Sequence, residues 1–297
     1  MAIKTSEVNT SALFAESMLV VTTLLWGSTF VVIKTGLNDA SPLLFLCLRF
    51  ALALAIGCFL WRKKLRTINR ATLLHGLLLG FFMFGGYGSQ TYGLAFTTVA
   101  KSGLFTYVYA LITPALQYLL VRKPLRMGNL IGLLIVVSGM LLFTHPSAGT
   151  LNVGDWVTLG GAGLFAFYVV LLDRYTSTEE PVQLLLVQFF TTSLLAGAAS
   201  LLIEPHRYVA WSGGLFFSLG YLAVVGSVVA VYIMNRYQKE TTPTKAVLIY
   251  ALEPVFTVIF GYLVLREGLD GTQIGGGALI LCGVVFSELW GLRRRKA

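Results

Sequence analysis

The chain has 297 residues, of which 56% are hydrophobic and only 12% charged, and a net charge of +9. Soluble domains carry about 25% charged residues, so composition excludes the soluble classes and places the chain in a membrane. The three cysteines, Cys47, Cys58 and Cys282, lie inside apolar runs without metal-ligand spacing, and they read as small core or lipid-facing residues.

A segment of about 20 apolar residues crosses the hydrocarbon core. By that measure the chain contains ten candidate spans: 14–35, 42–61, 72–95, 99–121, 127–144, 154–173, 182–203, 215–236, 244–265 and 272–291. The connectors are short. Residues 1–12 are polar, and the first apolar run carries no cleavage-like site, so no secretory signal is expected. Cytoplasmic connectors are enriched in Lys and Arg. Placing both termini in the cytoplasm puts 17 basic residues inside, among them Arg62, Lys63, Lys64, Arg66, Arg70 and the tail Arg293–Lys296. It leaves four outside, Lys34, Lys101, Arg207 and Arg266. The positive net charge therefore reads as an insertion signal, not as affinity for nucleic acid.

Within these spans, polar residues stand out because their insertion is costly. Trp26 lies in span one, and Arg49 lies in span two, seven residues beyond Pro42. Span three carries Gly85-Gly86-Tyr87-Gly88-Ser89-Gln90, where Tyr87 and Gln90, three apart, share a helix face. Span four carries Lys101, Tyr107, Tyr109 and Pro114; span six carries Tyr168; span nine carries Lys245 and, near its middle, Glu253-Pro254. A proline there removes a helical hydrogen bond and frees the carbonyl of Tyr250, four residues back. Such defects are tolerated only against protein or a water-filled cavity.

The chain also repeats itself. Shifted by 144, residues 97–139 fall on 241–283 without a gap, pairing Thr97 with Thr241, Lys101 with Lys245, Arg122 with Arg266, Gly132 with Gly276 and Gly139 with Gly283. The first spans correspond more weakly: Leu24–Ile33 aligns with Gly163–Leu172 in small and aromatic spacing. Five spans per repeat is an odd number, so the second repeat enters from the opposite face. Inverted-topology repeats are a transporter architecture, with the substrate site near the midplane between them. The expected fold is all-α: ten transmembrane helices as a 5+5 inverted-topology repeat, residues 1–146 and 147–297. At the 144 shift Glu253-Pro254 falls on Tyr109-Ala110, so the first repeat keeps a proline break, at Pro114, without an acid beside it.

These residues resemble the drug/metabolite transporter superfamily in its EamA branch. The similarity rests on Leu25-Trp26-Gly27-Ser28-Thr29-Phe30, on Arg49 in the second span, and on the run from Ala246 through Glu253-Pro254 to Glu267-Gly268-Leu269. It covers nearly the whole chain. The resemblance implies a secondary transporter working by alternating access on amino acids, other small metabolites, nucleotide sugars or sugar phosphates, with protons as a candidate coupling ion.

The candidate cavity wall is Trp26, Arg49, Tyr87, Gln90, Tyr107, Tyr109 and Tyr168. Arg49 offers a fork for a substrate carboxylate, and the competing role is capping carbonyls. Glu253 is a protonatable or amine-binding carboxylate, or a scaffold acid held by backbone donors at the Pro254 break. Lys101 and Lys245 are expected to snorkel to headgroups or loops. Asp39, Asp155, Glu179, Glu180, Asp270 and Glu288, near span ends, are expected to be capping or solvated. No nucleophile motif, phosphate loop, cofactor or metal site is evident, and a non-enzyme is expected. The expected function is metabolite export across a bacterial-type inner membrane, most readily of amino acids, by a monomer or weak homodimer. The alternatives are a nucleotide-sugar or sugar-phosphate exchanger, which needs two or more converging cations at the midplane, an intramembrane lipid-modifying enzyme, and a channel.

Overall fold

The computed structural model describes residues 4–97, 99–144, 151–260 and 271–296. Among these the fold is all-helical, its only extended pairing being an isolated bridge between Ala40 and Val209. We label the long helices α1 (Lys4–Gly36), α2 (Pro42–Leu60), α3 (Arg70–Leu94), α4 (Lys101–Val121), α5 (Met127–Thr144), α6 (Val153–Thr176), α7 (Pro181–Ile203), α8 (Gly213–Glu240), α9 (residues 243–260) and α10 (Gly271–Lys296). Eight helices among the described residues are long and apolar enough to cross a bilayer, and Met127–Phe143 is a shorter apolar helix. The protein is therefore a multi-pass membrane protein. Leu202, Phe59 and Leu119 are exposed at 84%, 78% and 67%, on surfaces that only lipid would cover at low cost.

Local chemistry sets the helix starts. Pro42 and Pro181 occupy first-turn positions, where a missing N–H costs nothing. Asn152 and Asp155 form a reciprocal capping box on α6. The start of α2 is capped from a distance: the backbone N–H groups of Leu43 and Leu44 donate to the Glu204 carboxylate at 2.8 and 3.2 Å, and Ser200 donates to it at 2.6 Å. The α1–α2 and α7–α8 connectors run side by side, with Ser41 N–H donating to the Tyr208 carbonyl and Ala210 N–H to that of Asp39.

The helices pack in matched sets. α5 lies along α10, α2 along α7, and α3 against both α6 and α7. α8 packs on α1 and α2, α4 on α6, and α9 on α1. The α5–α10 crossing uses four glycines at the repeat-related positions. A Cβ on Gly132 would lie 2.7 Å from the Gly283 carbonyl oxygen, and one on Gly139 2.8 Å from that of Gly276. Small residues let membrane helices approach to backbone contact, and here the facing atoms are backbone and cannot move aside. Gly276→Ala, whose Cβ would meet Phe143 N at 2.5 Å, is expected to cost about 1–3 kcal/mol of overpacking. Gly103→Ala, which meets nothing within 4 Å, is the control. Melting of the two variants in detergent checks this: only the first should fall by several degrees.

α4 and α9 are both broken, at repeat-related places. α4 is interrupted at Val108, and α9 at Ala251-Leu252, between the segments Pro243–Tyr250 and Glu253–Phe260. The break of α4 is thus six residues before Pro114, not at it. Pro114 stays inside the segment Tyr109–Leu116, and the chain then widens into a π-helical turn, Gln117–Val121. Pro254 sits in the first turn of its segment, where proline is well tolerated. Thr113 and Thr257, again 144 apart, donate to the carbonyls of Tyr109 and Glu253 at 2.8 and 2.9 Å. The stretch 261–270, with Arg266 and Glu267-Gly268-Leu269, lies outside the described residues.

Candidate functional site

The broken helices and the aromatic faces of α1, α3 and α6 surround a cavity of about 530 Å³, counting its open mouth. Its walls take Trp26, Thr29, Phe30 and Ile33 from α1, Arg49 from α2, Tyr87 and Gln90 from α3, and Thr106 and Tyr109 from α4. The other side is Phe165, Tyr168 and Val169 from α6, Met234 from α8, and Tyr250 and Glu253 from α9.

Arg49 is 1% exposed and held from one side only. Its Nε donates to Ser227 Oγ at 2.9 Å and its Nη2 to the Gly226 carbonyl at 3.3 Å. Gly226 lies in the π-helical stretch Leu222–Val229 of α8, and such wide turns release carbonyls that a regular helix would use. The same carbonyl accepts from Trp26 Nε1 at 3.2 Å. The guanidinium carbon sits 5.1 and 5.4 Å from the ring centres of Phe50 and Tyr87, a favourable placement for a cation against aromatic faces. Nη1 is buried and has no hydrogen-bond partner among the described residues. A charged donor left unpaired in a low-dielectric interior is costly and points to a group that arrives later. Ser227→Ala, which frees Nε and loosens the fork, is expected to weaken ligand binding about 5-fold at the usual worth of one hydrogen bond, measurable by titration of purified protein.

Glu253, half-buried, also lines the cavity. Its backbone carbonyl accepts from Thr257, but its carboxylate has no hydrogen bond or ion pair among the described residues. The expectation that backbone donors at the proline break hold it is therefore not met: the break leaves the acid facing the cavity. The aromatic residues are fixed from behind. The Tyr168 hydroxyl donates to Gln188 Oε1 at 2.9 Å, and Gln188 in turn donates to Asn235 Oδ1 at 2.9 Å. The Tyr250 hydroxyl donates to Gln238 Oε1 at 3.1 Å, and its ring meets Trp26 edge-on at 5.5 Å. Gln90 donates to Thr106 at 3.3 Å.

Trp26, Arg49, Tyr87, Gln90, Tyr109 and Tyr168 thus come together. Tyr107 does not join them: its hydroxyl turns away and donates to the Val247 carbonyl of α9 at 2.7 Å. Pro114 is buried in the helix interior. Tyr250, Phe165, Thr29, Thr106 and Met234 line the cavity without having been singled out. Phe165 and Thr29 stand three residues from Tyr168 and Trp26, a spacing that places them on the same faces.

The two repeat-related lysines do not snorkel. Lys101 faces Asp155 at 3.7 Å, and Lys245 holds Glu16 at 2.6 Å and Glu288 at 2.7 Å. Two expected end-of-helix acids, Asp155 and Glu288, are thereby engaged across the bundle. Glu179 accepts a short hydrogen bond from Thr72 and lies 3.4 Å from His75. Among the described residues, no three His, Cys, Asp or Glu side chains gather as a metal site would require.

Comparison with known proteins adds a family. The model of the EamA-like transporter family matches twice, over residues 13–145 and 152–289. An uncharacterized transporter of Archaeoglobus fulgidus is 28% identical over 277 residues, covering 93% of this chain and 86% of its own. A protein of Escherichia coli K12 described as a probable amino-acid metabolite efflux pump is 27% identical over 293 residues, with 92% and 94% covered. One solved structure superposes with a TM-score of 0.80 at 20% identity, covering 97% of this chain and all of its own, a likeness of fold.

Proposed function

Because the chain belongs to the EamA-like transporter family, we propose that it exports amino acids or closely related metabolites by alternating access through this cavity. The observation that carries the reading is that Arg49 Nη1 and the Glu253 carboxylate, both without a partner among the described residues, line one aromatic cavity. A buried guanidinium recognises a carboxylate well, and a carboxylate in an aromatic surround suits an ammonium. Together they match a zwitterion. A nucleotide sugar or sugar phosphate would bring more negative charge than one guanidinium beside a glutamate compensates, and Arg49 is the sole cation among the described lining residues. The efflux description of two of the relatives, at 27% and 25% identity, points the same way.

Alternating access rests on two repeats of five spans with opposite topology and both termini in the cytoplasm. The double family match, the glycine crossing that the 144 shift maps onto itself, and the equivalent breaks in α4 and α9 support that architecture. Glu253 is the proton-coupling residue, since it is the acid on the cavity wall. Counterflow in proteoliposomes loaded with a single amino acid tests the proposal. Saturable entry of labelled amino acid is the expected result, and exchange of sugar phosphates or nucleotide sugars in its place would refute it.

A further inference from the structure

The repeat relates not only helices but also two ion-pair clusters at opposite ends of the bundle. Lys101 and Lys245 are equivalent at the 144 shift, and each begins the broken helix of its own half. Each reaches across to the first helix of the other half. Lys101 faces Asp155 at the start of α6, and Lys245 holds Glu16 near the start of the apolar part of α1. The alignment of first spans, Leu24 on Gly163, is a shift of 139, and it carries Glu16 onto Asp155. Each member of one pair thus has a counterpart in the other, the lysines at a shift of 144 and the acids at 139, and Asp155 adds the ion pair to its place in the capping box of α6.

Asp155 starts α6, beside Thr97, whose hydroxyl donates to it at 2.5 Å, at the end where α1 and α3 finish. Glu16 lies ten residues before Trp26, toward the other end of α1. The clusters also differ. Lys245 is gripped by two carboxylates, Glu16 and Glu288, and it joins three helices, α9, α1 and α10. The Lys101–Asp155 contact is 3.7 Å and joins α4 to α6. Glu16 is buried, and Asp155 is 1% exposed, so neither pair is a solvated surface contact of negligible worth.

We propose that these clusters are the two latches of the transporter: Lys245–Glu16–Glu288 closes the end where α1 and α9 begin, and Lys101–Asp155 closes the end where α4 and α6 begin. One parts as the other tightens. A closed latch buries its charges against the opposite half, and an open one returns them to water, so the two need not be broken together. The inference rests on the alternating-access reading but not on the identity of the cargo.

The experiment uses the full chain in inside-out and right-side-out membrane vesicles. Cys47, Cys58 and Cys282 are replaced by serine, Met234→Cys is placed on the cavity wall, and labelling by a membrane-impermeant maleimide is timed from each face. Glu16→Gln is expected to raise labelling from the Lys245 end several-fold, and Asp155→Asn to raise it from the Lys101 end. The exchanged pair Glu16→Lys with Lys245→Glu should return labelling to the parental rate, which also shows that the single variants were folded. Equal labelling in parent and both single variants, or both variants raising labelling from the same face, overturns the latches. A parental cavity cysteine reached from one face only, with or without amino acid, overturns alternating access itself, and the latches with it. Failure of amino acid flux alone touches only the cargo.

Discussion

Arg49→Gln is expected to reduce amino acid flux about 10- to 100-fold while leaving the protein inserted and folded. The guanidinium keeps one buried nitrogen without a partner among the described residues, and a hydrogen bond to a charged group contributes about 1.5–3 kcal/mol. That is a loss of roughly one to two powers of ten in affinity for a carboxylate. The scaffold loses little. The Gly226 carbonyl retains its bond from Trp26, and the Ser227 hydroxyl can rotate to a backbone acceptor. Removing a charge from a membrane span also relieves an insertion cost of about 2.5–3.5 kcal/mol. The variant should thus be made in normal amount and melt no lower than the parent, which a merely structural arginine would not allow. Arg49→Lys should not restore flux, because an ammonium cannot bond Ser227 and Gly226 and still present a free donor in the plane of a carboxylate. Transport in proteoliposomes, with melting in detergent, reads both halves of the expectation.

Glu253→Gln is the second large effect. The acid lines the cavity near the middle of its span, beside the break in α9, with no partner among the described residues for its carboxylate. If it carries the coupling proton, the amide, which cannot release one, should abolish accumulation driven by a pH gradient, a loss of about 100-fold. Insertion and melting should hold, because the carboxylate supports no hydrogen bond that the amide would forfeit. Flux against a proton gradient equal to that of the parent would remove Glu253 from coupling.

Much of this was legible in one sequence because membranes impose a simple rule of length and polarity. The apolar runs 42–61 and 182–203 coincide with α2 and α7 to within a residue. Arg49 and Glu253 stand out because charge in hydrocarbon is rare and expensive. Trp26, Tyr87, Gln90, Tyr109 and Tyr168 follow from the same reasoning about polar or amphipathic side chains in spans. Less legible was anything set by partners distant in sequence. Local chemistry points to Pro114 as the break of α4, yet the break lies at Val108, aligned with that in α9. Tyr107 carries the same chemistry as Tyr109, but its hydroxyl is drawn to a carbonyl 140 residues away. Lysines near span ends suggest snorkelling when read alone, and only the fold supplies Asp155, Glu16 and Glu288. The carbonyl of Gly226 becomes an acceptor for both Trp26 and Arg49 through a local widening of α8 that no propensity signals.

The central claim is that Arg49 and Glu253 grip the two ends of a zwitterion in one cavity. It is tested most directly by comparing three probes in proteoliposomes: an amino acid that the protein exchanges, the amine lacking its carboxylate, and the acid lacking its ammonium. The account predicts that the amino acid competes at least 10-fold better than either fragment. It further predicts that Arg49→Gln erases its advantage over the amine, and Glu253→Gln its advantage over the acid. Equal competition by the amine or the acid in the parent protein would contradict it.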